Sequence, residues 1–390
     1  MTPLVTREIQ RLQQRHTPFC GYLYDLSALR ERIATMKRLL PEHCELFYAA
    51  KANAEAPILH TLAPWVDGFE AASGGELAWL AQQSLDSRLL FGGPGKLPDE
   101  LEQACDLRVD ALHVESLGEL RRLAALAERR RQTLPLLLRM NIPLPGGAET
   151  PLMMGGKPTP FGLDPADLAP ALRLIGDARW LRLRGFHFHL LSHQLSVDSH
   201  LALIQHCLTQ VQRWCQQFHL QIEMVNLGGG FGINYRDPAR HFDWADFCQR
   251  LPAVRRACRA APWLLRFECG RYISAPCGYY VMEVLDIKRN LGEWFAVGHG
   301  GTHHFRTPAA QGHDHPFQVV RRDTPPEIRD RRVTLVGQLC TPKDVLARRQ
   351  PIAALATGDW LVFPLAGAYA WNISHRHFLM HAEPHTVWLE

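Results

Sequence analysis

Short apolar runs alternate with amphipathic stretches along the chain between residues 46 and 268. Eight runs have the length and composition of buried β-strands, and the stretches between them have the spacing of helices that bury one face. In chain order the strand candidates are LFYAA, DGFEAA, RLLFGG, ALHVES, PLLLRM, GFHFHL, EMVNLG and LLRFEC. Eight strand–helix alternations over this length predict a (β/α)8 barrel, with an open doubly wound sheet as the alternative.

Serine and glutamate positions mark two of the predicted helix starts. Ser73 with Glu76, and Ser116 with Glu119, have the spacing of a capping box. In this motif the two side chains bond the free amides at the beginning of a helix. After the fifth strand the turn-rich stretch PLPGGAETPLMMGGKPTP, residues 143–160, predicts an insertion rather than a helix.

The pattern changes after residue 270, where β-type runs follow one another with few helical signals. These runs are YYVMEVLDIKR, EWFAVG, RRVTLVGQL, DWLVFPLAG and HTVWLE. They predict a second domain, a β-sandwich or β-barrel. We therefore expect the (β/α)8 barrel over residues 26–268, and a β-domain built from residues 1–25 and 269–390.

Composition narrows the class of protein. A hydrophobic content of 46%, a charged content of 21% and a net charge of +4 describe an ordinary globular chain and do not favour nucleic-acid binding. The ten cysteines lie far apart with no CxxC pair, which predicts reduced thiols in a cytoplasm. The N-terminal stretch has no signal-peptide core and no run reaches membrane-spanning length, so neither export nor a membrane is expected.

One lysine stands out because the chain has only 6 lysines against 37 arginines. Lys51 follows the first apolar strand, and it is either an amine that reaches solvent from a strand end or a nucleophile that must become neutral, which arginine cannot do. In a barrel His189, the glycines 228–230 and Glu268 share its rim, since each ends a strand. A glycine turn alone is weak evidence for an anion site. Together these residues indicate a phosphate-bearing cofactor that forms a Schiff base, as pyridoxal phosphate does.

Seven stretches in a fixed order carry a family resemblance across residues 47–372. They are FYAAKAN, GFEAASGGEL, HFHLLSHQ, NLGGGFG, ECGR, GQLCTPKD and GAYAWN. The sequence resembles the pyridoxal-phosphate decarboxylases of the alanine-racemase-like fold, which act on diaminopimelate, ornithine and arginine. The resemblance implies a pyridoxal 5'-phosphate enzyme that removes the α-carboxylate of an amino acid.

The resemblance also implies roles for individual residues of the barrel. Lys51 matches the Schiff-base lysine, His189 the histidine that stacks on the pyridine ring, and Glu268 the carboxylate that faces the ring nitrogen. Since racemases of this fold typically have arginine at that last position, Glu268 favours decarboxylation. Positions that match the family's phosphate site and its surroundings are Ser192, Gly228, Gly229, Gly230, Arg271 and Tyr369.

Two further matches imply that the active site is shared between subunits. Cys340 matches the family cysteine that returns a proton to the substrate carbon, and Asp344 matches a nearby substrate-binding acid. In the family both come from the partner subunit, so the resemblance implies a homodimer with shared sites. Asn226 and Cys269 depart from the family's usual aspartate and proline without removing a role that we can name.

Three stretches look unlike the decarboxylases of free basic amino acids: residues 300–317, HFHLLSHQ, and residues 367–381. They resemble the branch that decarboxylates citryl conjugates, such as citryl-diaminopropionate or citryl-serine, in carboxylate-siderophore biosynthesis. Cationic and donor side chains there suit a substrate rich in carboxylates, although several of them are equally compatible with packing at a dimer interface. The candidate substrate residues are His303, His304, Arg306, His375, Arg376 and His377, with Asp344.

Three alternatives remain beside this hypothesis. A diaminopimelate or ornithine/lysine-type decarboxylase would keep the chemistry with a different substrate. A decarboxylase-like regulator would have lost activity, which the presence of Lys51 and Glu268 disfavours. A metal-dependent hydrolase would use the HxH pair His187 and His189 with His193, but it would not explain Lys51 or the glycine turn, so we expect no metal.

Overall fold

The computed structural model describes residues 1–14, 18–144, 155–237, 240–258 and 262–390. The chain forms two compact units. The barrel unit comprises Arg32–Ile233 and His241–Tyr272, and the β-rich unit comprises Met1–Glu31, Asn234–Arg240 and Ile273–Glu390. The domain boundaries expected from the sequence, after residues 25 and 268, stay predictions. No pattern in the sequence indicated that a short segment near residue 235 belongs with the β-rich unit.

The first elements of the chain are helix α1 (Pro3–Leu12) and strand β1 (Cys20–Asp25). Helix α1 begins at a cap in which the Thr2 side chain accepts the Val5 amide, and a proline occupies its first turn. Its apolar stripe, Val5, Ile9 and Leu12, is buried in the same cluster as Trp360 of the β-rich unit. Burial of this stripe explains why a helix of ten residues is stable at the chain's beginning.

Eight parallel strands close into a barrel, as the sequence predicted. They are β2 (Cys44–Ala49), β3 (Gly68–Ala71), β4 (Arg88–Phe91), β5 (Ala111–Val114), β6 (Leu134–Arg139), β7 (Leu181–His187), β8 (Met224–Asn226) and β9 (Leu264–Cys269). Closure comes from β2 pairing with β9, with Cys44 opposite Leu265 and Tyr48 opposite Cys269. The strands are short, nearly continuous apolar runs because a barrel strand is covered on both faces.

Among the described residues, one helix directly precedes the first of these strands, and seven more separate the strands along the chain. They are α2 (Leu26–Leu39), α3 (Ala56–Leu62), α4 (Gly74–Gln82), α5 (Pro98–Asp106), α6 (Leu117–Arg130), α7 (Leu168–Asp177), α8 (Val197–Phe218) and α9 (Trp244–Ala257). At α4 and α6 the predicted serine caps are present, since Ser73 and Ser116 each accept the amide three residues on. The glutamates of these motifs instead accept the amide of the residue before the serine, at Ala72 and Glu115.

The remaining elements are α10 (Arg271–Ser274), β10 (Gly278–Asn290), β11 (Glu293–Gly298), α11 (Thr307–Gln311), β12 (Gln318–Val320), β13 (Ile328–Val336), β14 (Val345–Leu355), β15 (Trp360–Phe363) and β16 (His385–Leu389). Their strands form a mixed sheet in the order β12-β15-β10-β11-β13-β14, and β1 pairs with both β10 and β16. Because β11 and β13 are parallel, the chain must cross over between them. That crossover contains residues 300–317, which the sequence marked as a substrate segment.

Two expectations concern loops and membranes. The predicted insertion at 143–160 falls largely outside the described residues, since residues 145–154 are not among them. Among the helices in the described part of the chain, none has both the length and the hydropathy required to cross a lipid bilayer.

Candidate active site

Lys51 lies just beyond the C-terminal end of β2, in a single 3-10 turn formed by Ala50–Ala52. Its Nζ donates to Oε2 of Glu70 at 2.7 Å. The lysine side chain is 39% exposed, whereas Glu70 is 5% exposed. The amine is therefore held by a buried carboxylate while part of the side chain stays accessible to a ligand.

The histidine and glycine positions meet on the same rim. His189 lies two residues beyond the end of β7, and its Nδ1 accepts the Gly229 amide at 3.2 Å. Its Nε2 lies 3.5 Å from the Ser192 hydroxyl. Burial and the nearby Lys51 ammonium lower the pKa of His189 well below its usual value, so the ring is a neutral imidazole at neutral pH.

The glycine turn after β8 has no room for side chains. Gly228 and Gly230 have positive φ angles of 64° and 95°, and a Cβ on Gly229 would lie 2.3 Å from the Glu268 carbonyl oxygen. Glycine is thus required both by backbone conformation and by close approach. Such a turn places no side chain between its backbone and an incoming anion, while the Gly228 and Gly229 amides donate to Asn226 Oδ1 and His189 Nδ1.

Glu268, on β9, is buried inside the barrel with three polar neighbours. Asn226 Nδ2 donates to Oε1 at 2.6 Å, and His187 Nε2 lies 3.3 Å from Oε2. His113 Nε2 is 3.6 Å from Oε1. Burial alone would raise the pKa of Glu268, but its polar neighbours, His187 foremost, outweigh burial and hold that pKa well below its usual range. Glu268 is therefore a buried carboxylate anion.

His113, His187 and Glu268 also have the composition of a small metal site, with ligand atoms all within 4.8 Å of one another. The orientation of Asn226 disfavours a cation there. Gly228 donates to Asn226 Oδ1 at 2.9 Å, so the amide must turn its NH2 group toward Glu268. An N–H donor aimed at the carboxylate competes with a metal ion for the same oxygen. Of the three histidines named for the metal-dependent hydrolase, His187, His189 and His193, only His187 belongs to this cluster.

Four side chains that were not predicted from the sequence lie at or near this rim. Besides Glu70 and His113, these are Arg139 and Glu115, which form a buried ion pair with Nη1 and Oε1 2.7 Å apart. Each lies within or next to an otherwise apolar strand end, in FEA, LHVE or LLLR. A titratable residue in such a place is the signal that could have identified them, because burying it requires a partner or a function.

The rim fits pyridoxal phosphate, the group that the sequence resemblance implied. It offers a lysine whose side chain is partly exposed, a neutral imidazole near it, a buried carboxylate anion and a glycine turn that any Cβ would block. In that order, such groups are able to bind an aldehyde, cover an aromatic ring, face a protonated ring nitrogen and accommodate a phosphate. Arg271, a further phosphate candidate, begins α10 just after β9.

Within the β-rich unit, two predicted substrate residues line a single cavity of about 390 Å³. Arg306 and His375 are among its walls, and Lys343 is a third basic wall residue that the sequence analysis did not identify. Thr302 and Thr341 add hydroxyl groups. None of the described residues that line this cavity is acidic, so the cavity is suited to an anion.

The other predicted substrate residues of this unit have different surroundings. His303 is fully buried and its ring lies 3.9 Å from the ring of His304, centroid to centroid. Arg376 places its guanidinium 4.3 Å from the ring centroid of Trp371. His377 is exposed. The structure therefore groups only Arg306 and His375 of this set in the cavity.

Asp344 is buried and its carboxylate is occupied by backbone amides. Oδ1 accepts the Thr302 amide at 2.6 Å and Oδ2 accepts the Leu339 amide at 2.9 Å. These contacts join the two loops that carry Thr302 and Leu339, and they favour a structural role over the predicted substrate contact. Cys340 is an exposed free thiol. Tyr369 is partly buried with a φ of +49°, and its carbonyl accepts the Thr307 hydroxyl.

Comparisons with known proteins agree with this geometry. The family described as pyridoxal-dependent decarboxylase, pyridoxal binding domain, matches residues 26–275. A 2-[(L-alanin-3-ylcarbamoyl)methyl]-2-hydroxybutanedioate decarboxylase of Staphylococcus aureus is 40% identical over 392 residues, covering 99% of this chain and 98% of the relative. A diaminopimelate decarboxylase of Bacteroides thetaiotaomicron is 25% identical, covering 93% of this chain and 92% of the relative.

A solved structure shows the same fold. It is the crystal structure of diaminopimelate decarboxylase from Helicobacter pylori complexed with L-lysine, with a TM-score of 0.86 and 24% identity. It covers 98% of this chain, which in turn covers 94% of that chain.

Proposed function

The chain belongs to the pyridoxal-dependent decarboxylase family, and on that premise we propose that its substrate is an amino acid joined to citrate. The enzyme is a carboxy-lyase that uses pyridoxal 5'-phosphate. The proposed reaction removes the α-carboxylate of the amino-acid part of a citryl-diaminopropionate or citryl-serine type of conjugate. Its place is carboxylate-siderophore biosynthesis in the cytoplasm, where the ten free cysteines would stay reduced.

The basic cavity of the β-rich unit carries the substrate proposal. A diaminopimelate, ornithine or lysine substrate ends in an ammonium group, which requires an acceptor or an acid. This cavity instead offers Arg306, Lys343 and His375. A citryl group ends in carboxylates, which such side chains bind through charge-assisted hydrogen bonds. The Staphylococcus relative acts, by its name, on an amide of a hydroxybutanedioate, which has this character.

The barrel rim supplies the cofactor site of the proposal. When bound, pyridoxal phosphate supplies an electron sink for the electron pair left behind as CO2 departs. Lys51 would hold the cofactor through Nζ, His189 would cover its ring, and Glu268 would keep a proton on the ring nitrogen. The buried anionic state of Glu268 supports the last role. The residues proposed to hold the phosphate are Ser192, Gly228, Gly229, Gly230, Arg271 and Tyr369.

The remaining roles involve a second subunit. We propose a homodimer in which Cys340 of one chain protonates the substrate carbon in the site of the other. The family resemblance supports this arrangement, and the exposure of the Cys340 thiol is compatible with it. The basic cavity would then be offered to the substrate by the same partner chain.

A competition experiment tests the function directly. Purified protein with pyridoxal phosphate is offered citryl-diaminopropionate, citryl-serine, meso-diaminopimelate, L-ornithine and L-lysine together, and mass spectrometry follows loss of CO2 from each. Preferential loss from a citryl conjugate is the expected result. Preferential loss from a free diamino acid would keep the chemistry and refute the substrate class. A bound cofactor with no turnover of any compound would favour the inactive regulator.

A further inference from the structure

Two histidines form a stacked pair inside the barrel, next to Glu268. The rings of His113 and His187 lie 4.1 Å apart at an interplanar angle of 22°. His113 is 1% exposed and His187 is 3% exposed. Buried imidazoles are costly unless they have a role or a partner, and neither ring nitrogen of His187 has a hydrogen bond of good geometry among the described residues.

The two oxygens of Glu268 have different surroundings. Oε1 is held by Asn226, whose amide is itself oriented by the Gly228 N–H group. Oε2 faces His187, whose Nε2 is 3.3 Å away. Asn226 therefore fixes one corner of the carboxylate, and His187 is placed to fix the other.

The charges around this pair restrict where a proton can reside. Burial, and then the neighbouring His187, lower the pKa of His113 well below its usual value, so His113 is neutral. Two stacked buried rings cannot both be cations at this distance. The cations that act on His113 or Glu268 are Lys51, Lys96 and Arg266. The neutral His189, on which Arg139 also acts, and the acid Glu70, which lies beside Gly92, are the other titratable groups nearby.

Gly92 shows how closely the pair approaches the lysine end of the site. A Cβ on Gly92 would lie 3.2 Å from Glu70 Oε1 and 3.3 Å from His113 Nδ1. Glu70 is the acid that accepts from Lys51. His113 thus lies between the carboxylates of Glu70 and Glu268. Because its ring is neutral, it leaves both carboxylates without a further positive charge beside them.

We propose that His187 is a positioning residue for Glu268, and that His113 fixes the ring of His187 by stacking. Together they hold the carboxylate ionised and aligned, so that the ring nitrogen of bound pyridoxal phosphate carries a proton. Without His187, the Oε2 corner of Glu268 loses its facing group and the carboxylate can rotate about Asn226. The inference rests on the proposed function only in that Glu268 faces the ring nitrogen.

The test measures the ring nitrogen itself and needs no substrate. The holoenzyme is loaded with pyridoxal phosphate labelled with 15N in the ring, and the nitrogen chemical shift is followed against pH. In the wild type the nitrogen should stay protonated at neutral pH. In His187→Phe, which keeps the stacked ring but lacks Nε2, deprotonation should move down by about one pH unit or more, a tenfold weaker hold on the proton.

Two more variants separate the hydrogen-bonding group from the fold. His187→Gln places an amide N–H near the position of Nε2 and should restore the wild-type titration. His187→Asn keeps a polar side chain that is too short to reach Oε2, and it should reproduce the loss seen with phenylalanine. His200→Phe is the matched control: His200 is also 3% exposed with unpartnered ring nitrogens among the described residues, but it packs against Phe231 instead of Glu268.

The outcomes are distinguishable. If His187→Phe and His187→Asn titrate as the wild type does, the positioning role is refuted. If the wild-type ring nitrogen is unprotonated at neutral pH, the assignment of Glu268 in the proposed function fails instead. A stoichiometric divalent metal in the purified wild type that disappears in His187→Asn would also overturn the inference, because the cluster would then be a metal site.

Discussion

Two lysines of the barrel unit show opposite ways to place an amine. Lys51 lies at a strand end with its side chain 39% exposed and Glu70 as a partner. Lys96 lies in a loop, yet its side chain is 2% exposed. Its Nζ donates to the carbonyl oxygens of Gly93 and His113, each at 2.7 Å, and to Glu119 at 2.6 Å. An ammonium has three hydrogens, so these three acceptors saturate Lys96.

The difference teaches that burial and reactivity are separate properties. From the surrounding sequence alone, Lys51 would be expected to be the more buried lysine, because it follows an apolar strand. Lys96 would be expected to be exposed, because it lies in a PGKLP loop of the kind usually found at the surface. A saturated, buried ammonium has no N–H group left for a ligand, and it holds two strand ends together. An amine with an exposed side chain and an acidic neighbour can exchange protons and meet a ligand.

The largest expected effect is on chemistry at Lys51. Lys51→Ala should lower kcat by on the order of 10³-fold or more, because the residue proposed to bind the cofactor covalently is lost. It should also remove the visible absorbance of lysine-bound pyridoxal phosphate. Normal turnover by this variant would refute the assignment of the lysine.

At Lys96 the expected effect is on stability. Lys96→Met should lower the free energy of unfolding by about 3–5 kcal/mol, since it leaves Glu119 as a buried, unpaired anion. Urea unfolding measures this, and the double variant Lys96→Met/Glu119→Gln should recover part of the loss. Cofactor absorbance should survive in the folded fraction. If Lys96→Met abolished that absorbance while Lys51→Ala kept it, the comparison would be reversed.

A third lysine extends the comparison to the β-rich unit. Lys343 is exposed and lines the basic cavity with Arg306. Lys343→Ala should raise KM for a citryl conjugate by about 10- to 100-fold, the loss of one hydrogen bond between charged groups. Lys288→Ala, which removes an exposed lysine on β10, is the control and should leave KM unchanged. Equal KM values for both variants would place the anionic group elsewhere.

The smallest expected effect is on the pH dependence of stability at His200, a buried histidine whose ring nitrogens have no hydrogen-bond partner among the described residues. Burial lowers the pKa of His200 to about 4, below the value of about 6.5 for an unfolded chain. Its stabilising contribution is therefore complete above pH 6.5 and is lost as the pH falls toward 4. Between pH 7.5 and pH 5 this should cost about 2 kcal/mol of unfolding free energy.

His200→Phe should remove that part of the acid sensitivity, measured as the difference in urea stability between the two pH values. His206→Phe replaces a histidine on the same helix that is only partly buried, and it should behave as the wild type. A wild-type acid sensitivity in His200→Phe would show that His200 is not responsible.

Local patterns were sufficient for several parts of the site. The eight strands were predicted because an apolar run bounded by helix starts needs only near neighbours to define it. Strand ends then placed Lys51, His189 and Glu268 on a common rim, since parallel strands of a barrel end together. The glycine turn was predicted because its residues are consecutive.

The contacts of a side chain with residues far away along the chain could not be predicted from the sequence. Asp344 appears as a substrate acid in the sequence, but its carboxylate binds amides of Thr302 and Leu339, and the first of these lies 42 residues away. The basic cavity brings Lys343 to Arg306 and His375 from separate loops. Neither hydrophobic periodicity nor motif spacing predicts contacts between side chains that are far apart along the chain.

The sequence by itself determined the barrel and the cofactor class, and it predicted Lys51 as the Schiff-base lysine, because strand periodicity and contiguous motifs can be read from neighbouring residues alone. Only the tertiary structure decided which charged side chains are paired, and which groups are their partners. It gave Lys96 three acceptors, stacked His113 on His187 behind Glu268, and left a cavity whose charged wall residues in the described part of the chain are all basic. The physical reason is that burial and pairing set the charge of a side chain, and both depend on residues that only folding brings within a few ångströms.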